Sequence, residues 1–260
     1  MGVIALLTDF GHRDPFVGML KGAIAKVAPD TTVIDLTHDI ANFDPRSAAF
    51  ILEKSLSHFP ESTVFLCVVD PGVGSARKIL AAQAHRQYFV APDNGILSYA
   101  LSGAEAREVF EVRNPQYFVA EPSQTFHGRD IMAPVAAHLS RGLALGELGP
   151  AAADYQVLNP PSLLRKDDCV IGEILHVDKY GNLISNIGEC DLPRHDQLGE
   201  LTCRIGAQQG LKLVNSYSEA NGPAAIISGF GTVEVFLNRN QIEEQFENPI
   251  GTTIAVERKV

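Results

Sequence analysis

The sequence predicts an α/β protein in two parts: an N-terminal, mostly parallel, three-layer α/β/α domain and a small C-terminal β-barrel domain. Through the first 150 residues short apolar runs alternate with amphipathic stretches, the pattern of buried strands with helices on both sheet faces. Beyond residue 160 short strands follow one another with few helical stretches between them, as in a barrel or sandwich. The linker-like Asn159-Pro160-Pro161-Ser162 divides the chain into domains 1–160 and 161–260.

The elements follow in order. Val3 to Leu7 reads as a buried strand ending at Thr8-Asp9. Asp14 then reads as a helix cap with Pro15 in the first turn, and Phe16, Leu20, Ala23, Ile24 and Val27 keep helical spacing. Val33 to Leu36 is a second strand, and Asp44-Pro45 repeats the cap signal before a helix through Phe50, Ile51 and Leu56. Val64 to Val69 is an apolar strand stopping at Asp70. Tyr88 to Ala91 is another, stopping at Pro92-Asp93-Asn94-Gly95, and a helix runs from Arg129 to Leu139. In the second part, strands are expected at 170–177, 183–187, 201–205, 211–214, 224–227, 232–237 and 253–256.

With 260 residues, 45% apolar and 20% charged, the chain can bury a substantial core and has the make-up of a folded soluble protein. The formal charge of −10 and the lack of any Lys/Arg run argue against a nucleic-acid partner. They suit a cationic small molecule better. MGVIALLTDFGHRD has no basic leader region, and no apolar run reaches the roughly 18 residues of a membrane span. Cys67, Cys169, Cys190 and Cys203 form no CxxC pair, and the eight histidines show no metal-ligand spacing. The expectation is a cytoplasmic protein with no metal site, disulfide framework or membrane partner.

In an open parallel sheet, ligands bind beyond the carboxyl ends of the strands. Asp9, Asp70 and the Asp93-Asn94 pair all fall at such ends, although Asp and Asn are also ordinary turn residues. Asp70-Pro71-Gly72-Val73-Gly74-Ser75-Ala76-Arg77 lacks the Gly-Lys-Ser/Thr ending of a phosphate loop; alone it reads as a tight loop with an ion pair. His127, beside Gly128, can reach a ligand, though a lone histidine is more often structural. Asp178-Lys179-Tyr180-Gly181-Asn182 reads as a hairpin turn with Gly181 at positive φ, and Gly229-Phe230-Gly231 as a turn able to approach a flat ligand. Neither HExxH nor GxSxG is present, so metalloprotease and serine-hydrolase chemistry have no motif support.

Taken in order, LLTDFG (Leu6 to Gly11), VVDPGVGS (Val68 to Ser75) followed by Arg77, APDNG (Ala91 to Gly95), TFHGRD (Thr125 to Asp130), VDKYGN (Val177 to Asn182) and GFG–VEV (Gly229 to Val235) span nearly the whole chain. This ordered set resembles the S-adenosylmethionine hydroxide adenosyltransferases, relatives of the fluorinating and chlorinating enzymes that use the same substrate. The resemblance implies hydrolysis of S-adenosyl-L-methionine (SAM) to adenosine and L-methionine by water attacking ribose C5′, with no cofactor. It also implies a homotrimer, with substrate bound where one subunit's first domain meets a neighbour's second.

Carried onto this chain, the resemblance makes Asp70, Arg77 and His127 the set that positions the attacking water. Asp9 would hold the ribose hydroxyls, and Asp14 and Asp178 the methionine amino group. Asn182, Glu234 and the backbone around Gly229 and Leu237 would face the adenine or its neighbourhood, Phe43, Tyr180 and Phe230 would supply apolar walls, and Asn94 and Ser228 are further substrate-binding candidates. Where the halogenating relatives carry a hydroxyl-bearing halide pocket, this chain has Val73 and Gly128, and Asp70 replaces their aromatic residue. A family serine corresponds here to Gly229, with Ser228 just before it. The alternatives are a halide-using SAM adenosyltransferase, a chlorinase or fluorinase, and a non-catalytic sensor of SAM or adenosine.

Overall fold

A computed structural model describes residues 2–259. The chain forms two compact units, the first running to Leu158 and the second starting at Asn159.

In the first unit the strands are β1 (Val3–Thr8), β2 (Thr32–Thr37), β3 (Val64–Val68), β4 (Ile79–Ala84), β5 (Gln87–Pro92) and β6 (Arg107–Glu111). The helices are α1 (Phe16–Val27), α2 (Pro45–Ser55), α3 (Ser98–Leu101) and α4 (Ala133–Ser140). The sheet order is β2-β1-β3-β5-β4-β6. The first four strands run parallel, whereas β4 is antiparallel to both β5 and β6.

The apolar runs of β1 and β3 serve two cores at once, because successive side chains point to opposite faces. Ile4, Leu6, Val64, Leu66 and Val68 pack with Leu20 and Ile24 of α1 and Val135 and Leu139 of α4. Ala5, Leu7, Phe65 and Cys67 pack with Ala48 and Leu52 of α2 and Leu97 and Leu101 on the other face. Each fully buried Leu, Ile or Phe contributes about 1.5–3 kcal/mol. Cys67 is a free thiol at the centre, and burial pushes its titration far up.

Two sequence expectations need correction, and two strands go unannounced. The sequence shows no clear signal for β4 and β6, which close one edge of the sheet as an antiparallel extension. Asp14 is not the cap of α1: Pro15 takes that position, its carbonyl accepts the Met19 N–H at 2.9 Å, and no side chain caps the turn. Asp44, by contrast, accepts the N–H groups of Arg46 and Ser47 at 3.0 and 3.1 Å with Pro45 in the first turn. The stretch expected to form one helix from Arg129 begins instead as a π-helical turn, Gly128–Met132, before α4. Such wide turns occur often at functional sites.

The second unit contains β7 (Leu164–Lys166), β8 (Cys169–Val177), β9 (Leu183–Gly188), β10 (Leu201–Ile205), β11 (Gln208–Val214), β12 (Pro223–Ile227), β13 (Thr232–Leu237) and β14 (Thr253–Arg258). Pairing of β14 with β8 closes the seven strands β8 to β14 into a barrel, with β7 added to β8 outside the closure. Closure leaves those strands without a free edge. Val170, Ile174, Leu183, Leu213, Val233, Val235 and Ile254 fill its interior. The β11–β12 pairing is parallel, a crossover the sequence does not announce.

Candidate active site

The parallel strands place their carboxyl ends on one edge of the first sheet. Asp9 follows β1 and Asp70 follows the adjacent β3. A cavity of about 260 Å³ opens there, lined by Asp9, Phe10, Phe16, Asn42, Phe43, Val68, Asp70, Val73, Thr125, Phe126, His127 and Gly128. That volume is below the roughly 300–1,000 Å³ of a whole-ligand site, so this cavity can hold only part of a large ligand.

The loop after β3 folds back on itself. Val73 N donates to Asp70 O, Ser75 N to Gly72 O, and Arg77 N to Ser75 Oγ, at 3.3, 3.0 and 3.2 Å. Gly74 has φ +80°, and a Cβ there would lie 2.7 Å from Gln124 O, so glycine alone fits. Gly128 likewise brings the His127 turn against β3, since a Cβ on it would lie 2.8 Å from Val68 Cγ1.

These two approaches assemble a tight group. Arg77 Nε donates to Asp70 Oδ1 and Oδ2 at 3.0 and 3.1 Å, and Arg77 Nη2 donates to Oδ2. The same Nη2 lies 3.0 Å from His127 Nδ1. Arg77 and Asp70 side chains are only 9% and 6% exposed, so the pair is shielded from screening. Guanidinium has no acceptor, so His127 Nδ1 must carry the lone pair and Nε2 the hydrogen. Burial, and then the Arg77 charge, lower the pKa of His127, in keeping with a neutral ring.

Asp9 accepts the Phe43 N–H at 3.1 Å. Phe43 itself is 69% exposed with φ +63°, a costly conformation for an aromatic residue. Phe10, Phe16 and Phe126 meet edge to face with centroids 5.6–5.8 Å apart and form the apolar side of the cavity.

In the second unit a cavity of about 580 Å³ is lined by Asp178, Lys179, Tyr180, Asn182, Tyr217, Phe236, Leu237, Asn238, Arg239, Asn240 and Gln241. Asp178 organises its turn: Oδ1 accepts Tyr180 N and Asn182 N at 2.8 and 2.9 Å, and Oδ2 accepts Asn182 Nδ2 at 3.0 Å. Gly181 has φ +77°, as a hairpin turn requires. Glu234, on β13 opposite Ile184 and Ile226, is 3% exposed and accepts the Tyr217 O–H at 2.9 Å. Burial, reinforced by the Asp178 charge, raises its pKa to about 7 against the pull of the Tyr217 hydrogen bond.

Of the residues singled out from sequence, Asp9, Phe43, Asp70 and His127 line the first cavity, with Arg77 behind them. Asp178, Tyr180, Asn182 and Leu237 line the second, with Glu234 bonded to one of its walls. Asp14 is exposed and outside both linings. Asn94 is also outside: its Nδ2 donates to Val69 O at 2.8 Å and its Oδ1 accepts Ile96 N at 3.2 Å, so its amide braces the strand end before Asp70. Ser228, Gly229 and Phe230 form the β12–β13 turn, with Ser228 Oγ accepting Phe230 N at 3.3 Å, and none is in either lining. Sequence reasoning missed Tyr217, which lies 17 residues before Glu234 and carries no motif, and it gave Phe10, Asn42 and Phe126 no individual role. Phe126 stands inside TFHGRD, a signal that was present.

Two family models cover this chain: the SAM hydroxide adenosyltransferase N-terminal domain matches residues 4–149 and the C-terminal domain residues 172–255. An (R)-S-adenosyl-L-methionine hydrolase of Thermus thermophilus is 34% identical over 251 residues, covering 94% of this chain and 95% of its own. A fluorinase of an Actinoplanes species is 28% identical over 239 residues, covering 82% of this chain and 78% of its own. A crystal structure of an uncharacterized conserved protein from Thermotoga maritima superposes with a TM-score of 0.90 at 34% identity, covering 98% of this chain and all of that one. With both domains matched and the sheet, barrel and site motifs in place, the chain belongs to the SAM hydroxide adenosyltransferase family.

Proposed function

We propose that this protein hydrolyses S-adenosyl-L-methionine at ribose C5′, releasing adenosine and L-methionine. The observation that carries the reading is the Arg77 guanidinium donating to both Asp70 and His127 Nδ1 at the wall of the first cavity. The relative's name specifies the (R) substrate, and we extend that preference to this chain.

The sulfonium departs as a neutral thioether and needs no acid. The protein must supply a water in line with the C5′–S bond, about 3–3.5 Å from carbon. Arg77 fixes Asp70 while leaving lone pairs on its oxygens, so Asp70 accepts one hydrogen of that water. His127 donates from Nε2 to one lone pair of the water, and the other points at carbon. The C–O bond forms as the C–S bond breaks, sulfur keeps the electron pair, and the proton passes to Asp70 and then to solvent. His127 is not the base, because its one lone pair is taken by Arg77. The Asp70 carboxylate opposes a halide ion at this position, which favours water over the fluorinase reaction. No cofactor enters the scheme. The resemblance further supports a homotrimer acting in the cytoplasm, with Asp178, Tyr180, Asn182 and Glu234 serving the methionine and adenine ends.

Incubation with the substrate in ¹⁸O-water tests the reading: mass spectrometry should find one heavy oxygen in adenosine. Asp70→Asn should lower kcat by about 10²–10⁴-fold. Unlabelled adenosine, intact substrate, or a 5′-halogenated product when halide is added would overturn the assignment.

A further inference from the structure

We infer that His38 is a positioning residue for this reaction, setting through Thr8 the turn that presents Asp9 to the ribose. The inference rests on the hydrolase reading above. His38 follows β2 and is 1% exposed, and the proposed chemistry does not use it. Its Nδ1 is hydrogen-bonded, while its Nε2 lies against a carboxylate at ion-pair distance without hydrogen-bond geometry. Nδ1 lies 2.8 Å from Thr8 Oγ1, and Nε2 lies 3.0 Å from Asp35 Oδ1. Lys21 Nζ donates to Asp35 Oδ2 at 2.7 Å.

Asp35 Oδ1 only accepts, so in the neutral ring the adjacent Nε2 carries the imidazole hydrogen. Nδ1 then accepts the Thr8 hydroxyl hydrogen, and Thr8 Oγ1 in turn accepts Phe10 N at 3.2 Å. The hydrogen-bonded ties run from the Phe10 amide through Thr8 to His38, with the Asp35 carboxylate beside the ring. The His38 backbone adds a second tie, its carbonyl accepting Gly11 N at 2.8 Å. The turn at 8–11 is thus held on both sides of Asp9.

The second cavity-lining segment is tied to the same place. Ile40 N donates to Thr8 O at 3.4 Å and Phe43 N to Asp9 Oδ2 at 3.1 Å. Asp9 and Phe10 come from one segment and Asn42 and Phe43 from the other. A residue touching the reacting atoms would not be sealed from the cavity, so His38 acts through the hydroxyl and backbone groups it holds.

The test uses the full-length protein with His38→Phe, His38→Asn and Thr8→Val. Initial rates give kcat and KM, and calorimetry gives affinities for adenosine and 2′,3′-dideoxyadenosine. His38→Phe and Thr8→Val should each raise KM about tenfold with kcat within about twofold, and the preference for adenosine over the dideoxy compound should fall toward one. His38→Asn, which keeps an acceptor near the Nδ1 position, should restore most of that preference. An unchanged preference and KM in folded His38→Phe overturns the inference, as does an equal fall in kcat. If His38→Phe does not fold, Asp35→Asn, at a carboxylate 37% exposed, must shift the preference in the same direction, and no shift overturns it. A wild-type protein that hydrolyses substrate yet shows no preference refutes the Asp9 assignment alone; one that binds neither compound and turns over nothing refutes the hydrolase reading.

Discussion

Glu234→Gln isolates the electrostatic character of the barrel cavity. The wild-type carboxyl is raised from 4.5 to about 7, chiefly by burial. The folded state therefore holds this proton more tightly than the unfolded chain does. The stabilisation is complete below pH 4.5, is lost as pH rises toward 7, and is gone above it. At 1.36 kcal/mol per pH unit the ceiling is about 3 kcal/mol, and solvent reaching the group through the adjoining cavity reduces this to about 2 kcal/mol. Glutamine keeps a carbonyl for the Tyr217 hydroxyl and does not titrate. Urea denaturation of the ligand-free protein, followed by circular dichroism from pH 4.5 to 8, is the assay. With a slope of about 2 kcal/mol per molar, the midpoint difference between variant and wild type should move by about 1 M in the variant's favour. Asp178→Asn, by removing the nearby negative charge that adds to the effect of burial, should shrink that movement. Wild-type and Glu234→Gln midpoints that stay parallel across the range would refute the reasoning.

Two other outcomes follow from the first cavity. Arg77→Met leaves the 6%-exposed Asp70 carboxylate without its partner and should destabilise the fold by about 3–5 kcal/mol, measured by the same denaturation, with turnover lost as well. The pKa of His127 is lowered by burial and by Arg77, so the neutral ring persists below its ordinary 6.5. The acid limb of kcat attributable to this residue should fall below pH 6.5, as pH drops through the lowered value, and should vanish in His127→Gln; an unchanged limb would show that another group sets it.

Much of this was legible in the sequence, and the exceptions have physical causes. The apolar runs of β1 and β3 announce themselves because both faces are buried. Asp44-Pro45 signals its helix truly because the carboxylate reaches two free amides. Asp14-Pro15 presents the same dipeptide, yet the helix begins one residue later and the proline carbonyl closes the first turn. Ile79–Ala84 is half alanine and carries no strand signature; its pairing with β5 and β6 makes it a strand. Asp70, Arg77 and His127 were identifiable as a motif, but the sharing of one guanidinium nitrogen depends on two glycine contacts visible only in three dimensions. The Tyr217–Glu234 pair has no local signal, since it depends on the parallel β11–β12 crossover and the β12–β13 pairing that follows it.

The contact between Gly128 and Val68 restricts how this site can change in evolution. A hydroxyl introduced as Gly128→Ser places its Cβ 2.8 Å from the valine methyl. The new side chain fits only if strand β3 first gives up volume, as in Val68→Ala. That earlier step leaves a void beside the hydrolytic group while conferring no halide affinity. Any side chain at position 128 thus needs an ordered pair of substitutions, the first of them disadvantageous.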